Sequence, residues 1–100
     1  MTELKKYLED IKLLCSRHKV NKLYAFGSIL TGKFNKASDV DFIVDFQPQD
    51  ILQYADNYYD LKFALENVLH RQVDLLEEKA IKNPYLQQVV NNKRQLVYEH

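Results

Sequence analysis

The chain has 100 residues, of which 46% are hydrophobic and 12% aromatic, enough apolar material for one packed domain over residues 1–100. Fourteen basic and fourteen acidic side chains cancel, and the absence of a basic excess predicts no nucleic-acid partner. The single cysteine excludes an intrachain disulfide, and the polar N-terminus without a long apolar run predicts a cytoplasmic protein with no membrane association.

The first predicted elements are a helix and a short strand. Apolar residues recur at helical spacing over residues 3–18, which predicts an amphipathic helix with Thr2 as its N-cap. A strand then covers residues 23–26 and ends at Gly27. Residues 28–33 could form one or two helical turns before a loop.

The clearest strand covers residues 40–46, because its apolar side chains alternate with acids. A helix follows over about residues 50–69. Its predicted buried side consists of Ile51, Ala55, Tyr58, Leu61, Leu65, Val68 and Leu69.

The last predicted elements are a strand at residues 71–77, a helix and an edge strand within residues 94–99. Asn83 is the expected N-cap and Pro84 the first residue of that helix, which reaches about Asn91. Helices and strands in this order predict an α/β (α+β) fold with a small mixed sheet and helices packed on it.

Three aspartates on the strands are candidates for a metal site. Asp39 and Asp41 stand two residues apart on one face of the 40–46 strand, which separates their Cβ atoms by about 6–7 Å. Mg²⁺ takes carboxylate, water and phosphate oxygens as ligands. With Asp74 on a neighbouring strand, the three acids suit two metal ions and an in-line displacement at phosphorus.

The Gly27-Ser28 pair is a candidate phosphate-binding turn. A strand that ends in Gly-Ser and opens a helix leaves backbone N–H groups free to bind an anion. Each feature has an ordinary alternative, since Ser38-Asp39 can be a turn and Asp74 a solvated strand residue. Their conjunction favours a site in which the turn holds a nucleotide triphosphate and the acids hold its metals.

Gly27-Ser28, Gly32 and Ser38-Asp39-Val40-Asp41 together resemble the signature of minimal nucleotidyltransferases in the polymerase-beta-like superfamily. The resemblance implies a nucleotidyltransferase fold and an enzyme that uses ATP and Mg²⁺. It implies that Gly27 and Ser28 contact nucleotide phosphates, that Asp39 and Asp41 bind Mg²⁺, and that Asp74 is a metal ligand or general base. The family often has Ala-Arg where this chain has Leu30-Thr31, and Lys33 or Lys36 could replace that charge.

The resemblance also implies a biological role. Many such domains are antitoxins that transfer AMP from ATP onto a tyrosine of a helical, HEPN-type toxin. Two alternatives remain: a non-catalytic antitoxin that neutralises its toxin by binding, and a nucleotidyltransferase for small molecules such as antibiotics. In a chain of 100 residues the acceptor must come from another chain or from a symmetric dimer. On the long helix Tyr58 belongs to the predicted buried side, whereas Tyr54 and Tyr59 could remain partly exposed and mark an interface, with a packed role as the alternative.

Overall fold

The computed structural model describes residues 5–26, 40–85, 87–88 and 94–100, in which two helices pack on a four-stranded sheet. Helix α1 covers Leu8–Arg17 and helix α2 covers Ile51–Leu69. A short 3₁₀ helix covers Glu78–Ala80. The strands are β1 (Val20–Phe26), β2 (Val40–Phe46), β3 (Val73–Glu77) and β4 (Gln95–Glu99). This is the mixed sheet with packed helices that the sequence predicts.

The described strands lie in the order β3-β2-β1-β4. Strand β1 is antiparallel to both β2 and β4, whereas β2 and β3 are parallel. Parallel neighbours require a crossover connection, and α2 provides it between β2 and β3. Because they run in the same direction, β2 and β3 begin at the same edge of the sheet.

The main core lies between the helices and one face of the sheet. Strand β2 supplies alternate residues to it, since side chains of a strand point to opposite faces in turn. The residues of this core are Ile11, Cys15, Val20, Leu23, Ala25, Val40, Phe42, Val44, Phe46, Leu61, Leu65, Leu69, Val73, Leu75 and Val97. The apolar face predicted for β2 is therefore confirmed.

Helix α2 begins and ends at the predicted positions, and Leu61, Leu65 and Leu69 are buried as predicted, but the first turns differ from the prediction. The Asp50 carboxylate caps the helix by accepting a hydrogen bond from the Gln53 N–H, at 2.9 Å. Ile51 and Ala55 are exposed, so their predicted burial is wrong. Tyr58 packs against the core as predicted, and Tyr54, which was not predicted there, packs beside it.

Two helix-to-strand reversals use residues with positive φ that are not glycine. Lys19 (φ 59°) stands between α1 and β1, and His70 (φ 56°) ends α2 in the left-handed conformation. Strand β1 begins at Val20 rather than at the predicted residue 23, directly after this reversal. Three residues, 70–72, connect α2 to β3, which begins two residues later than predicted.

The structure describes only part of the two chain ends. The Asn83 side chain accepts a hydrogen bond from the Tyr85 N–H at 2.9 Å, as an N-cap does, and residues 84, 85, 87 and 88 are helical. The predicted cap Thr2, the helical turns at 28–33 and the end of the last helix lie outside the described residues. Helix α1 covers Leu8–Arg17, and the predicted helix start at residue 3 lies outside the described residues.

Cys15 is fully buried in the core, and this burial raises the pKa of its thiol to about 12. In an unfolded chain the thiol pKa is about 8.5. The protonated thiol is therefore favoured by folding, and its contribution to stability is fully present below pH of about 8.5 and is lost as the pH rises toward 12.

We expect the wild-type protein to lose stability relative to Cys15→Ala above pH of about 8.5, by up to about 1.4 kcal/mol per pH unit. Urea unfolding followed by circular dichroism at several pH values between 7 and 11 measures the difference. The comparison with Cys15→Ala cancels the titration of the tyrosines. If the free energy of unfolding changes with pH in the same way in both proteins, the expectation is contradicted.

Candidate active site

Asp41 and Asp74 stand side by side at the edge where β2 and β3 begin. Each is the second residue of its strand, and the parallel register pairs Val40 with Val73 and Asp41 with Asp74. Neighbouring strands are about 4.8 Å apart, so the two acids are direct neighbours. Because the flanking residues point into the core, both carboxylates project from the opposite face of the sheet.

Hydrogen bonds fix the beginning of both strands. The Val40 N–H donates to the Gln72 carbonyl at 3.0 Å, which ties β2 to the residue before β3. The Val73 N–H donates to a carboxylate oxygen of Glu66 on α2, also at 3.0 Å. The residues directly before the two acids are therefore held, Val40 by Gln72 and Val73 by α2.

Strand β1 ends beside the same acids. Phe26, its last residue, pairs with Asp41 in the antiparallel register. The chain therefore enters the segment 27–39 at this edge and re-enters the sheet at Val40, one residue before Asp41. Four of the predicted site residues fall in this segment and lie outside the described residues: Gly27, Ser28, Lys33 and Asp39.

A second, small apolar cluster covers the sheet face that carries the acids. Ile43, two residues after Asp41, is fully buried against Ile81, with Tyr24 and Phe26 packed beside them. This layer was not predicted from the sequence, because Ile81 lies far from Ile43 along the chain. It excludes water from the sheet next to the acid pair.

The Arg94 side chain connects Tyr24 of this cluster with Glu78. Its guanidinium lies 4.0 Å from the centroid of the Tyr24 ring and its Nη1 lies 2.7 Å from a carboxylate oxygen of Glu78. A cation above an aromatic face is attracted by the ring. The contact holds the 3₁₀ helix after β3 against β1, and nothing in the local sequence of Arg94 predicts it.

Two tyrosines of α2 are bonded to β3, the strand that carries Asp74. The Tyr54 hydroxyl donates to the Glu77 carboxylate, and the Tyr58 hydroxyl donates to the Leu75 carbonyl. Burial, and for Tyr54 also the bond to Glu77, raises the pKa of both phenols. Both hydroxyls are therefore engaged in hydrogen bonds that position β3, whereas the neighbouring Tyr59 is exposed.

The two carboxylates that the structure describes at this site fit a hard cation. Asp41 and Asp74 offer carboxylate oxygens from adjacent strands, and oxygen is the ligand that Mg²⁺ prefers. Within residues 5–26, 40–85, 87–88 and 94–100 no third His, Cys, Asp or Glu joins them in a cluster that could hold a metal. The predicted third ligand, Asp39, is outside those ranges. In the same part of the chain no helix is long and apolar enough to cross a membrane.

Comparison with known proteins gives consistent results over nearly the whole chain. Residues 9–100 match the family model described as polymerase beta nucleotidyltransferase. A provisionally named protein adenylyltransferase of Methanocaldococcus jannaschii is 31% identical over 99 residues, which cover 98% of this chain and 96% of that protein. The protein adenylyltransferase MntA of Thermococcus cleftensis is 30% identical over 99 residues, covering 91% of this chain and 94% of the relative.

Solved structures share the fold. A structure provisionally described as a minimal nucleotidyltransferase superposes with a TM-score of 0.76 at 30% identity and covers 92% of this chain and 90% of its own. A toxin–antitoxin structure with AMP-PNP has a TM-score of 0.70 at 23% identity, over 93% of this chain and 73% of that one. The complex of a tri-AMPylated HEPN toxin with its MNT antitoxin from Shewanella oneidensis has a TM-score of 0.65 at 20% identity, over 96% and 72%.

The acid pair generates a prediction about stability. Like charges directly opposite each other on neighbouring strands are destabilising by about 0.2–1 kcal/mol. We expect Asp74→Asn to raise the free energy of unfolding by about this amount in low-salt buffer without divalent ions. We also expect millimolar Mg²⁺ to raise the melting temperature of the wild type more than that of the variant.

Thermal and urea unfolding with and without Mg²⁺ measure both effects. Asp56→Asn is the control, because Asp56 is an exposed acid on α2 and its removal changes the net charge equally. An Asp74→Asn protein that is less stable than the wild type, and as responsive to Mg²⁺, would contradict the account of the site.

Proposed function

The chain belongs to the polymerase beta nucleotidyltransferase family, and from this membership we propose that it is an antitoxin that transfers AMP from ATP onto a tyrosine of a HEPN-type toxin. The observation that carries the proposal is the pairing of Asp41 with Asp74 on the sheet face opposite the main core. The names of the relatives and the HEPN–MNT complex of the same fold support the choice of substrate and partner.

The reaction is an in-line displacement at the α-phosphorus of ATP. The tyrosine oxygen of the acceptor forms a bond to this phosphorus, the bond from phosphorus to the bridging oxygen of the β-phosphate breaks, and pyrophosphate leaves. The phenol proton passes to a carboxylate of the site or to water. Asp74, the more exposed acid of the pair, is the proposed base or metal ligand, because an acceptor can approach it from solvent.

Mg²⁺ is the proposed cofactor, with two ions held by Asp39, Asp41 and Asp74. When bound, magnesium ions neutralise charge that develops on the phosphate oxygens and on the leaving group. The contribution of the chain is to fix Asp41 and Asp74 in register, with the amides of the preceding residues Val40 and Val73 hydrogen-bonded. Gly27 and Ser28 are proposed to bind the phosphates of ATP, with Lys33 nearby, since β1 delivers the chain to this edge at Phe26.

A second candidate function is neutralisation of the toxin by binding alone. Leu30-Thr31, in place of the Ala-Arg that is common in the family, favours it because a cation for the triphosphate is absent at that position. This alternative requires the same partner but no chemistry at the acid pair. Substitution of the acids therefore separates the two functions.

We expect incubation with α-³²P-ATP, Mg²⁺ and the co-encoded HEPN-type protein to label that protein on tyrosine. Asp41→Asn should lower the labelling rate by at least about 100-fold, since each factor of ten corresponds to about 1.4 kcal/mol of lost transition-state stabilisation. Gel autoradiography and mass spectrometry of the partner measure the rate and the modified residue.

Asp45→Asn is the matched control and should leave labelling unchanged. Asp45 lies on the same strand and face, about 13 Å from Asp41 by the strand rise, and accepts a hydrogen bond from the Asn21 side chain. If ATP, GTP, CTP and UTP all leave no label while a stable complex forms, the chain acts by binding. Equal labelling by Asp41→Asn would remove the acid pair from the mechanism.

A further inference from the structure

Helix α2 carries a stripe of exposed apolar side chains on the side away from the core. Leu52, Tyr59 and Phe63 are 78%, 57% and 58% exposed, and Ala55 lies between them on the same side of the helix. Residues three and four apart are neighbours on a helix surface, so these four form a continuous row, called the α2 stripe here. An exposed row of large apolar residues on a small protein marks an interaction site.

The aromatic residues of the stripe contact each other and a tyrosine bonded to β3. The Tyr59 ring stacks on the Phe63 ring with centroids 6.4 Å apart and meets the edge of Tyr58 at 5.1 Å. Tyr58 is itself bonded to the Leu75 carbonyl of β3. Contacts of this kind restrict the rings before binding, which reduces the conformational entropy lost when a partner covers them.

A groove beside the stripe connects it to the candidate active site. It has a volume of about 520 Å³ and lies between α2 and β3, where Ala55, Tyr59, Leu75 and Leu76 contribute to its wall. Leu76 is on the same face of β3 as Asp74 and only two residues away, about 7 Å along the strand. Because the acids project from the sheet face opposite α2, a protein that covers the stripe and groove reaches them around the edge strand β3, past Leu76.

Charge on α2 indicates the chemistry of the partner. The helix contains three acids, Asp56, Asp60 and Glu66, against a single base, Lys62. Asp56 and Asp60 stand four residues apart along one border of the stripe, both are exposed, and neither forms an ion pair with another described residue. A second copy of this chain would bring four aspartates into one interface, which like-charge repulsion disfavours.

We propose that the α2 stripe and the groove beside it are the docking surface for a helix of the acceptor protein, with apolar side chains toward Tyr59 and Phe63 and lysine or arginine toward Asp56 and Asp60. An amphipathic helix laid in an apolar groove is a common recognition mode. The proposal rests on the proposed function for the identity of the partner and for the presence of a modified residue. It places the acceptor protein on α2 and its modified residue at the β3 edge.

The test measures binding of the purified co-encoded HEPN-type protein by calorimetry in the absence of nucleotide. Tyr59→Lys with Phe63→Lys should weaken binding by at least about 100-fold, because buried aromatic anchors dominate interface energies. Leu13→Lys is the matched control: Leu13 is a 51% exposed apolar residue on α1, and its substitution should change the affinity by less than about twofold. Circular dichroism melts of every variant verify folding, and Tyr59→Ala replaces the double variant if that protein melts early.

The contribution of Asp56 and Asp60 to binding is tested with a separate pair of double variants. Asp56→Lys with Asp60→Lys should weaken binding by about 3–10-fold at low salt, mainly through slower association, and the difference should shrink as salt is added. Glu9→Lys with Asp10→Lys, two exposed acids on α1, is the control with the same change of charge. If the two double variants weaken binding equally, the loss of affinity comes from net charge. The proposed orientation of the partner is then overturned.

The proposal is overturned if the wild-type protein does not bind this partner, or if the stripe variant binds as tightly as the wild type. It is also overturned if light scattering finds a homodimer that the stripe variant converts to monomer while partner binding is unchanged, because a second copy would then occupy the stripe. Normal labelling of the partner by a stripe variant that no longer binds stably would reject the docking surface alone. Unlabelled partner that still binds through the stripe would reject only the transfer of AMP.

Discussion

Parallel pairing of β2 with β3 is the constraint on which the candidate site depends. It places Asp41 and Asp74 opposite each other, and it requires a crossover long enough to contain α2. The same helix then returns to support the pair, since Glu66 binds the Val73 amide and two tyrosines bind β3. A shift of one residue in this register would turn one carboxylate into the core. The sheet, whose other face is apolar, therefore holds two neighbouring acids side by side despite the repulsion between them.

Sequence patterns predicted the parts of the fold in which burial follows a simple period. Strand β2 has the predicted bounds because Val40, Phe42, Val44 and Phe46 all enter the core at a period of two. The burial of Ile51 and Ala55 was predicted wrongly, since the helical period alone does not fix which side of the first turns meets the sheet. There the reach of the Tyr54 and Tyr58 rings decided the orientation.

The candidate site was predictable only in part for a similar reason. Alternation places Asp41 and Asp74 on polar strand faces, and the family resemblance assigns them a role. Their direct pairing, however, depends on the register between two residues that are 33 positions apart in the chain, which no local pattern encodes. The apolar layer formed by Ile43 and Ile81, and the contact of Arg94 with Tyr24, likewise join distant segments and became visible only in the structure.

The three-residue connection between α2 and β3 has a consequence for the proposed transfer to a docked partner. Residues 70–72 and the two tyrosine bonds join α2 directly to the strand that carries Asp74. Under the proposal, a hydroxyl of a partner held on α2 would meet the acids at an effective concentration in the millimolar range or above, which is typical of tethered reactants. The sequence around the modified residue would then need little recognition of its own.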